Sequence, residues 1–347
     1  MPPHSLRSRL ALAAIKRALP SLVSADPVAR LAEGLHVAVV GSGSPLPDRK
    51  RGNPCVAVIA GGRVFVVDAG ERSAETMSRM QLAPSRIAAV LLTHFHSDHI
   101  GGLPTVNLQR WVADAAQTPL RVLGPTGVER VVAGFNEAYE LDRGYRTAHH
   151  GPEVAPPSGA GMVAEPFSIP AGEDAKVVLD EDGLKVTAFT VEHPPIEPAL
   201  GYRFDYRGRS AVISGDTIYA PSLIRVARGA DLLLHDALSP ELLKLVEDAA
   251  GRAGLDMRRR ILADVPDYHA TAPQAADAAR EAGVGALAIT HVIPPLPLKG
   301  LEAIFLGDAR EHFAGELWLA RDGDLYSLHS GQTGVVRSSM MGRWPGR

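Results

Sequence analysis

The sequence predicts a layered α/β domain, in which helices cover β-sheets on their outer faces. Short β-rich runs alternate with helical stretches along most of the chain. Apolar residues make up 46% of the 347 residues and charged residues 22%, which is enough hydrophobic material for a full core. Residues 88–92 form a nearly continuous apolar run, as in a strand that is covered on both faces. The length fits about two domains, or one large α/β layer fold.

Turn residues and periodicity place the individual elements. The first predicted strands span residues 36–40, 55–60, 64–67 and 88–92, with a tight turn at Gly61-Gly62. Hairpins are predicted over residues 179–191, 200–213 and 317–328, with turns at Asp182-Gly183, Arg207-Gly208 and Asp322-Gly323. Helices are predicted over residues 72–82, 106–115, 128–141, 240–250, 273–282 and 301–313. Residues 151–175, rich in proline and glycine, are expected to form a long surface loop.

The two ends of the chain differ from its middle. Residues 1–33 are predicted to be a basic amphipathic segment, since apolar residues recur every four positions from Leu6 and no acid precedes Asp26. Two interpretations of this segment stay open: a helix that docks on the body or frays, and a weak membrane-surface anchor or transit-like segment. Residues 34–330 are expected to form the main domain. Residues 331–347 carry three arginines and no acid, and are expected to be a flexible basic tail.

Charge and cysteine content exclude several classes of protein. The formal net charge of −3 rules out a polyelectrolyte and provides no general phosphate-binding footprint. The single cysteine, Cys55, cannot form an internal disulfide. No run of about 18 uncharged apolar residues occurs, so no transmembrane span is predicted. The apolar run at residues 10–15 is too short for a secretory signal. The expected location is cytoplasmic, with peripheral membrane contact through residues 1–25 left open.

The segment that follows the buried strand at residues 88–92 carries a dense set of metal-ligand side chains. His94, His96, Asp98 and His99 lie within six residues. Neutral imidazole and carboxylate both bind zinc at about 2.0–2.2 Å. In an extended loop His94 and His96 point the same way, and the turn that follows can direct Asp98 and His99 to a second position. This pattern suits two metal ions.

One loop cannot complete two coordination shells, so further ligands are expected from other strand ends. His193, Asp216 and His291 each lie just past an apolar, strand-like run. A carboxylate such as Asp216 can give one oxygen to each metal and hold the pair about 3.5–4 Å apart, as in two-metal hydrolysis.

These seven residues, in this order, resemble the ligand set of the metallo-β-lactamase-fold hydrolases, and the resemblance covers about residues 36–328. It implies a four-layer αββα sandwich with two zinc ions at one edge of the facing sheets. It also implies a first zinc on His94, His96 and His193, a second on Asp98, His99 and His291, and Asp216 as the bridge. Asp68 matches the family aspartate that orients a ligating imidazole, although a helix cap is an equally open interpretation.

A narrower resemblance lies toward the C-terminus. Residues 232–238, 268–271 and 289–292 are similar to the closing motifs of the ribonuclease Z branch and its relatives, the zinc arylsulfatases and phosphodiesterases. This likeness implies that His269 assists the leaving oxygen and that an acid at Asp236 steadies His269. Aspartate stands here where the branch usually has glutamate. We expect His235 to be a buried packing or second-layer residue rather than a ligand.

The implied activity is that of a dinuclear zinc hydrolase that uses a metal-bridging hydroxide, with Asp98 orienting that hydroxide or taking up its proton. A proton donor such as His269 most helps phosphodiester or sulfate esters with a poor leaving group. Two alternatives stay open: a lactonase or β-lactamase-type hydrolase, and a non-catalytic metal-binding scaffold. Manganese or iron can also occupy such mixed sites.

The substrate is expected to be a small-molecule ester. Only 22 residues separate His193 from Asp216, and the nucleases that resemble this chain carry an RNA-gripping arm between the corresponding positions. Nucleic acid therefore stays possible but is not favoured. A homo-oligomer is the expected assembly.

Overall fold

Two mixed β-sheets face each other in the computed structural model, which describes residues 5–23 and 25–341. The first sheet has the strand order β15-β14-β1-β2-β3-β4-β5-β6, and the second has the order β13-β12-β11-β10-β9-β8-β7. The strands are β1 (Gly34–Gly41), β2 (Cys55–Ala60), β3 (Arg63–Val67), β4 (Ile87–Leu91), β5 (Leu120–Pro125), β6 (Met162–Phe167), β7 (Ala175–Glu181), β8 (Leu184–His193), β9 (Ile196–Tyr206), β10 (Arg209–Ile213), β11 (Leu232–Leu238), β12 (Ala286–Ile293), β13 (Glu316–Leu319), β14 (Asp324–His329) and β15 (Val336–Ser339).

The first described helix precedes the first strand, and the other described helices lie between strands in the chain. The helices are α1 (Leu6–Val23), α2 (Ser73–Arg79), α3 (Ser97–Ile100), α4 (Leu103–Ala113), α5 (Val128–Ala138), α6 (Glu140–His150), α7 (Pro221–Ala227), α8 (Pro240–Arg252), α9 (Asp256–Asp264), α10 (Ala272–Ala282), α11 (Leu301–Leu306) and α12 (Ala309–His312).

The alternation of side chains along β1 shows how the layers form. Successive residues of a strand point to opposite faces of the sheet. Val37 and Val39 belong to the core between the two sheets, whereas Ala38 and Val40 belong to the core under the outer helices. Every residue of β1 is buried, as expected for a strand that is covered on both sides.

Each outer face of the sheet pair has its own helical layer. The core outside the first sheet includes Met77 of α2, Val106 of α4 and Val132 of α5. The core outside the second sheet includes Leu223 of α7 and the buried alanines of α10. The predicted four-layer αββα sandwich is therefore confirmed.

The strand directions bring one edge of both sheets together as a place for chemistry. In the first sheet β3 and β4 run parallel, and in the second β10, β11 and β12 run parallel. Strand β8 runs the same way as β10, because each is antiparallel to β9. The carboxyl ends of all these strands, and the residues that follow them, therefore meet at one edge.

Three local predictions were wrong. The Asp322-Gly323 turn does not close a hairpin, because β13 pairs with β12 in the second sheet and β14 pairs with β1 in the first. The Asp322 carboxylate accepts hydrogen bonds from the backbone of Ser42 and Gly52 instead. Residues 151–175 are not all loop, since β6 pairs with β5. The helix expected over residues 301–313 is two helices, α11 and α12, separated at Gly307, which has a positive φ of 53°.

The chain ends differ from the expected boundaries. Strand β15 pairs with β14, so the first sheet extends beyond residue 330. Residues 342–347 of the expected tail lie outside the described residues. Helix α1 forms, but from Leu6 to Pro20 only Ala18 is even half-buried, so α1 does not dock on the body. No described helix has both the length and the apolar content that crossing a bilayer requires.

A buried tyrosine links the second sheet to the loop that follows β4. Tyr202 is fully buried, and its hydroxyl donates to the carbonyl oxygen of Leu92 at 2.7 Å. We expect Tyr202→Phe to lower the free energy of unfolding by about 1–2 kcal/mol, since it removes a hydrogen bond and leaves a buried carbonyl without that donor. Urea denaturation measures the change. The matched control is Tyr145→Phe at an exposed site, which should change stability by less than about 0.5 kcal/mol. Equal stability of the two variants would contradict the assigned role.

Candidate metal centre

The loop after β4 carries the first group of candidate ligands. Leu92 and Thr93 continue from the strand, and His94 and His96 follow in a short loop in which His96 has extended backbone. Helix α3 then makes a single turn that contains Asp98 and His99. This turn places Asp98 and His99 in a second cluster, although the rings of His94 and His99 stay adjacent with centroids 4.1 Å apart, so one short segment supplies two neighbouring clusters.

The first cluster combines two histidines of this loop with one from the second sheet. His193 ends β8, and its Nε2 lies 3.4 Å from Nδ1 of His96. Nε2 of His94 lies 2.9 Å from the same His96 nitrogen. Three imidazole nitrogens therefore converge, and an oxygen of Asp216 lies within 4.8 Å of each of them.

The second cluster contains Asp98, His99 and His291. Nε2 of His291 lies 3.4 Å from Oδ2 of Asp98, and Nε2 of His99 lies 3.6 Å from the same oxygen. Oδ2 of Asp216 lies 3.2 Å from Nε2 of both histidines and 3.9 Å from Nε2 of His94. Asp216 is therefore shared by the two clusters.

Neighbouring groups hold three of the histidines with Nε2 directed into the clusters. His99 donates from Nδ1 to Asp68 Oδ2 at 2.8 Å. His193 donates from Nδ1 to the backbone oxygen of Tyr268 at 2.9 Å. The Thr93 hydroxyl donates to Asp68, so its oxygen is left to accept from Nδ1 of His94 at 3.0 Å. In the neutral form of each ring, Nε2 then carries the lone pair that a metal needs.

Burial keeps the histidines of the first cluster neutral. It lowers the pKa of His94 well below the ordinary value, and it also lowers the pKa of His96 and of His193. Metal ligation requires neutral imidazole, so these rings are ready to bind a cation at neutral pH.

The second cluster has an excess of buried negative charge. Burial opposes charge there, but His291 and His99 hold the pKa of Asp216 well below its usual range. In turn the carboxylates of Asp216, Asp68 and Asp98 raise the pKa of His99 well above its ordinary value despite its burial. Asp98 Oδ2 and both ring nitrogens of His291 are buried without a hydrogen-bond partner anywhere in residues 5–23 and 25–341. A divalent cation would satisfy Asp98 Oδ2 and Nε2 of His291, which lies beside the carboxylates of Asp98 and Asp216, and this donor set fits one.

Next to the two clusters lies a further histidine with its own carboxylate. His269 donates from Nδ1 to Asp236 Oδ2 at 2.8 Å, so the shorter acid does reach the ring. Its ring centroid lies 5.1 Å from that of His193 and 5.1 Å from that of His291. The ring is held just before α10, whose start is fixed by a capping box between Thr271 and Gln274. Nε2 is the ring nitrogen that the Asp236 bond leaves available.

His235 is fully buried, as expected for a second-layer residue. It donates from Nδ1 to the backbone oxygen of Asp236 at 2.8 Å. It is not part of either metal-ligand cluster. It therefore supports the strand that carries Asp236.

Asp68 ties the first sheet to the second cluster. It follows β3 with a positive φ of 56°, and its carboxylate accepts from the backbone N–H and hydroxyl of Thr93 and from His99. We expect Asp68→Asn to weaken metal affinity about 10- to 100-fold, because loss of an outer carboxylate partner releases the orientation of the ligating ring. A competition assay with a chromophoric chelator measures this affinity. Asp26→Asn is the control, because Asp26 pairs with Arg86 away from the site. Unchanged affinity in Asp68→Asn would show that Asp68 only caps the following helix.

An open cleft of about 600 Å³ lies beside His96. The loop after β4, the start of α5 and the start of β9 form its walls. Phe95, Arg130, Ile196 and Pro198 line it, together with Glu197. These residues come from separate elements, and no local motif in the sequence marks them.

The structure brings together all seven residues proposed as metal ligands and places His269 and Asp236 beside them. Sequence reasoning missed the supporting roles of Thr93 and of the Tyr268 carbonyl. Thr93 adjoins His94 in the motif, which was a usable signal, since outer partners often lie next to ligands. A backbone carbonyl such as that of Tyr268 leaves no signal in residue identity.

Comparison with known proteins gives a consistent family. The family model described as the metallo-beta-lactamase superfamily matches residues 49–258, more than half of the chain. A protein named ribonuclease Z from Mycobacterium avium is 36% identical over 290 residues, which cover 83% of this chain and 96% of that relative. The crystal structure of human tRNase Z, short form, aligns with a TM-score of 0.60 at 21% identity and covers 84% of this chain and 98% of that one. A diphosphatase of the PhnP family aligns with a TM-score of 0.57 at 18% identity, covering 87% and 100%.

Proposed function

The chain belongs to the metallo-beta-lactamase superfamily and is a metal-dependent hydrolase of phosphoester bonds, and we propose that it cleaves phosphodiesters with two zinc ions. One observation carries this proposal: seven donor residues from both sheets converge in two clusters that share Asp216. A scaffold that needs a metal only for folding has no use for a second cluster with a shared carboxylate and an adjoining proton donor.

The residues divide between the two ions as their clusters do. His94, His96 and His193 would hold the first ion, and Asp98, His99 and His291 the second, with Asp216 between them. Bound zinc ions supply Lewis acidity and lower the pKa of water to about 7, which makes hydroxide available at neutral pH. Manganese and iron remain alternatives for a set of imidazoles and carboxylates.

The protein's own groups then handle the protons. Asp98 Oδ2 is buried, points into the site and lacks a hydrogen-bond donor among the described residues, so it is placed to orient the attacking water and accept its proton. His269 Nε2 is placed to donate a proton to the departing oxygen, while Asp236 fixes the ring from Nδ1. Such a donor matters most when the leaving group is a poor one.

RNA is the first candidate substrate, because this chain matches relatives named ribonuclease Z over almost their whole length. These relatives do not support the expected preference for a small-molecule substrate. A small phosphodiester is the second candidate. It is favoured by the connection from His193 to Asp216, which consists of β9, β10 and their turns with no protruding arm between them. Sulfate ester hydrolysis, a homo-oligomeric assembly and a cytoplasmic location stay predictions.

One panel of substrates tests the proposal. It contains a precursor transfer RNA with a 3′ extension, bis(p-nitrophenyl) phosphate, p-nitrophenyl sulfate, a lactone and a β-lactam. We expect turnover of one or both phosphodiesters above all the other compounds. Asp216→Asn, purified in parallel, controls for contaminating nucleases, because its preparation carries the same contaminants without the complete site. Faster opening of the lactone or the β-lactam, or equal rates in the Asp216→Asn preparation, would overturn the assignment.

A further inference from the structure

Helix α1 exposes an unusual amount of apolar surface. Leu6, Leu10, Leu12, Ile15 and Leu19 are between 43% and 74% exposed. Single exposed leucines are ordinary, but a group of them on one element marks an interaction surface. The body of the protein does not cover this surface, because from Leu6 to Pro20 only Ala18 is even half-buried.

The same helix carries positive charge only. Arg7, Arg9, Lys16 and Arg17 lie within α1, and no acidic residue does. None of these four side chains forms an ion pair with any residue in the described ranges 5–23 and 25–341. A partner of this helix must therefore tolerate its positive charge or supply negative charge.

One side of the helix presents an apolar face with basic residues at its flank, whereas Leu6 and Leu10 lie on the opposite side together with Arg17. Leu12, Ile15 and Leu19 are spaced three and four residues apart, so they share one face. Arg9 and Lys16 are seven residues apart, close to two full turns, and lie along one flank of that face. Long basic side chains beside an apolar face can reach toward lipid headgroups while the face enters the bilayer surface.

The helix joins the body far from the candidate metal centre. Three residues after α1, Asp26 accepts a two-pronged hydrogen bond from Arg86, with Nε at 3.0 and 3.1 Å from the two carboxylate oxygens. Arg86 directly precedes the start of β4, whereas the metal ligands follow the end of β4. A surface bound to α1 would therefore leave the cleft beside His96 open.

We propose that α1 is a membrane-surface anchor that binds bilayers containing anionic lipids. Charge complementarity favours this partner over a second copy of the chain, because two α1 helices packed together would bring eight cations close without an acid. It is also favoured over RNA, since RNA would neutralise the cations but would not cover Leu12, Ile15 and Leu19. The anchor lies on the membrane, because no described helix can cross it.

Sedimentation of the full-length protein with vesicles tests the proposal. Vesicles of phosphatidylcholine alone are compared with vesicles of phosphatidylcholine mixed with phosphatidylglycerol. We expect binding to rise about tenfold or more with the anionic lipid and to fall at high salt. The double variants Ile15→Ser/Leu19→Ser and Arg9→Gln/Lys16→Gln should each lose most of this binding. The matched control, Met257→Ser/Ile261→Ser, changes exposed apolar residues of α9 and should bind like the parent protein.

The other outcomes are distinguishable. All variants should give the circular dichroism spectrum of the parent protein, which shows that they are folded. Equal binding to both kinds of vesicle, or binding that the α1 variants do not change, would overturn the proposal. So would α1-dependent dimers in light scattering without vesicle binding, or an α1-dependent affinity for precursor transfer RNA without vesicle binding.

Discussion

Replacing Asp216 with asparagine is expected to lower the rate of phosphodiester hydrolysis by more than about 100-fold, which exceeds the usual cost of losing an outer partner of a metal site. Oδ2 of Asp216 lies 3.2 Å from Nε2 of both His99 and His291 and is shared by the two clusters. Asparagine keeps the shape of the side chain but removes the negative charge and replaces one oxygen with a nitrogen that has no lone pair to share. Initial rates and metal content are measured on the same preparation.

The metal content should fall below two ions per chain in this variant. Asp205→Asn serves as the control, because Asp205 pairs with Arg203 on β9 and is not a candidate ligand. Circular dichroism verifies that both variants are folded. If Asp216→Asn kept full activity and the metal content of the parent protein, Asp216 would not be a shared metal ligand.

The second large effect is expected for His269→Ala. General acid catalysis contributes about 10²- to 10⁴-fold, so kcat should fall by that amount for a substrate with a poor leaving group. The fall should be much smaller for bis(p-nitrophenyl) phosphate, because p-nitrophenolate departs without a proton. The metal content should not change, since the seven proposed ligands remain.

The comparison between the two leaving groups separates proton donation from other roles of His269. A ring nitrogen of His269 lies within 4.8 Å of one ligand atom each of Asp216 and His291. Loss of metal in His269→Ala would therefore show that His269 coordinates a metal ion instead. A decrease of equal size for both leaving groups would assign it to positioning. Asp236→Asn should show the same dependence on the leaving group with a smaller loss, because Asp236 acts through the ring of His269.

Local chemistry explains why the site could be predicted. The four candidate ligands from His94 to His99 form a dense local pattern, and His193, Asp216 and His291 each follow an apolar run that proved to be a strand. Because the carboxyl ends of β4, β8, β10 and β12 meet at one edge, identifying strand ends was enough to bring these residues together. The hydrogen bond from His269 to Asp236 depended on backbone positions, and only the structure could establish it.

Non-local pairing explains what could not be predicted. The Asp322-Gly323 turn looks the same in sequence whether it joins two paired strands or carries the chain from one sheet to the other. Strand β6 lies in a segment rich in proline and glycine, and its pairing with β5 outweighs that composition. The cleft wall at Phe95, Arg130 and Ile196 depends on three elements that are distant in the chain. The exposure of α1 could not be predicted, because it depends on whether the folded body presents a surface to which the helix can dock.

The central claim is that two divalent ions, held by seven residues around Asp216, make this chain a phosphodiesterase. The most direct measurement titrates chelator-treated, metal-free protein with zinc while hydrolysis of bis(p-nitrophenyl) phosphate is followed. We predict no measurable hydrolysis before zinc is added and a plateau once two equivalents are bound. Full hydrolysis by the metal-free protein, or zinc uptake that leaves the rate unchanged, would contradict the claim.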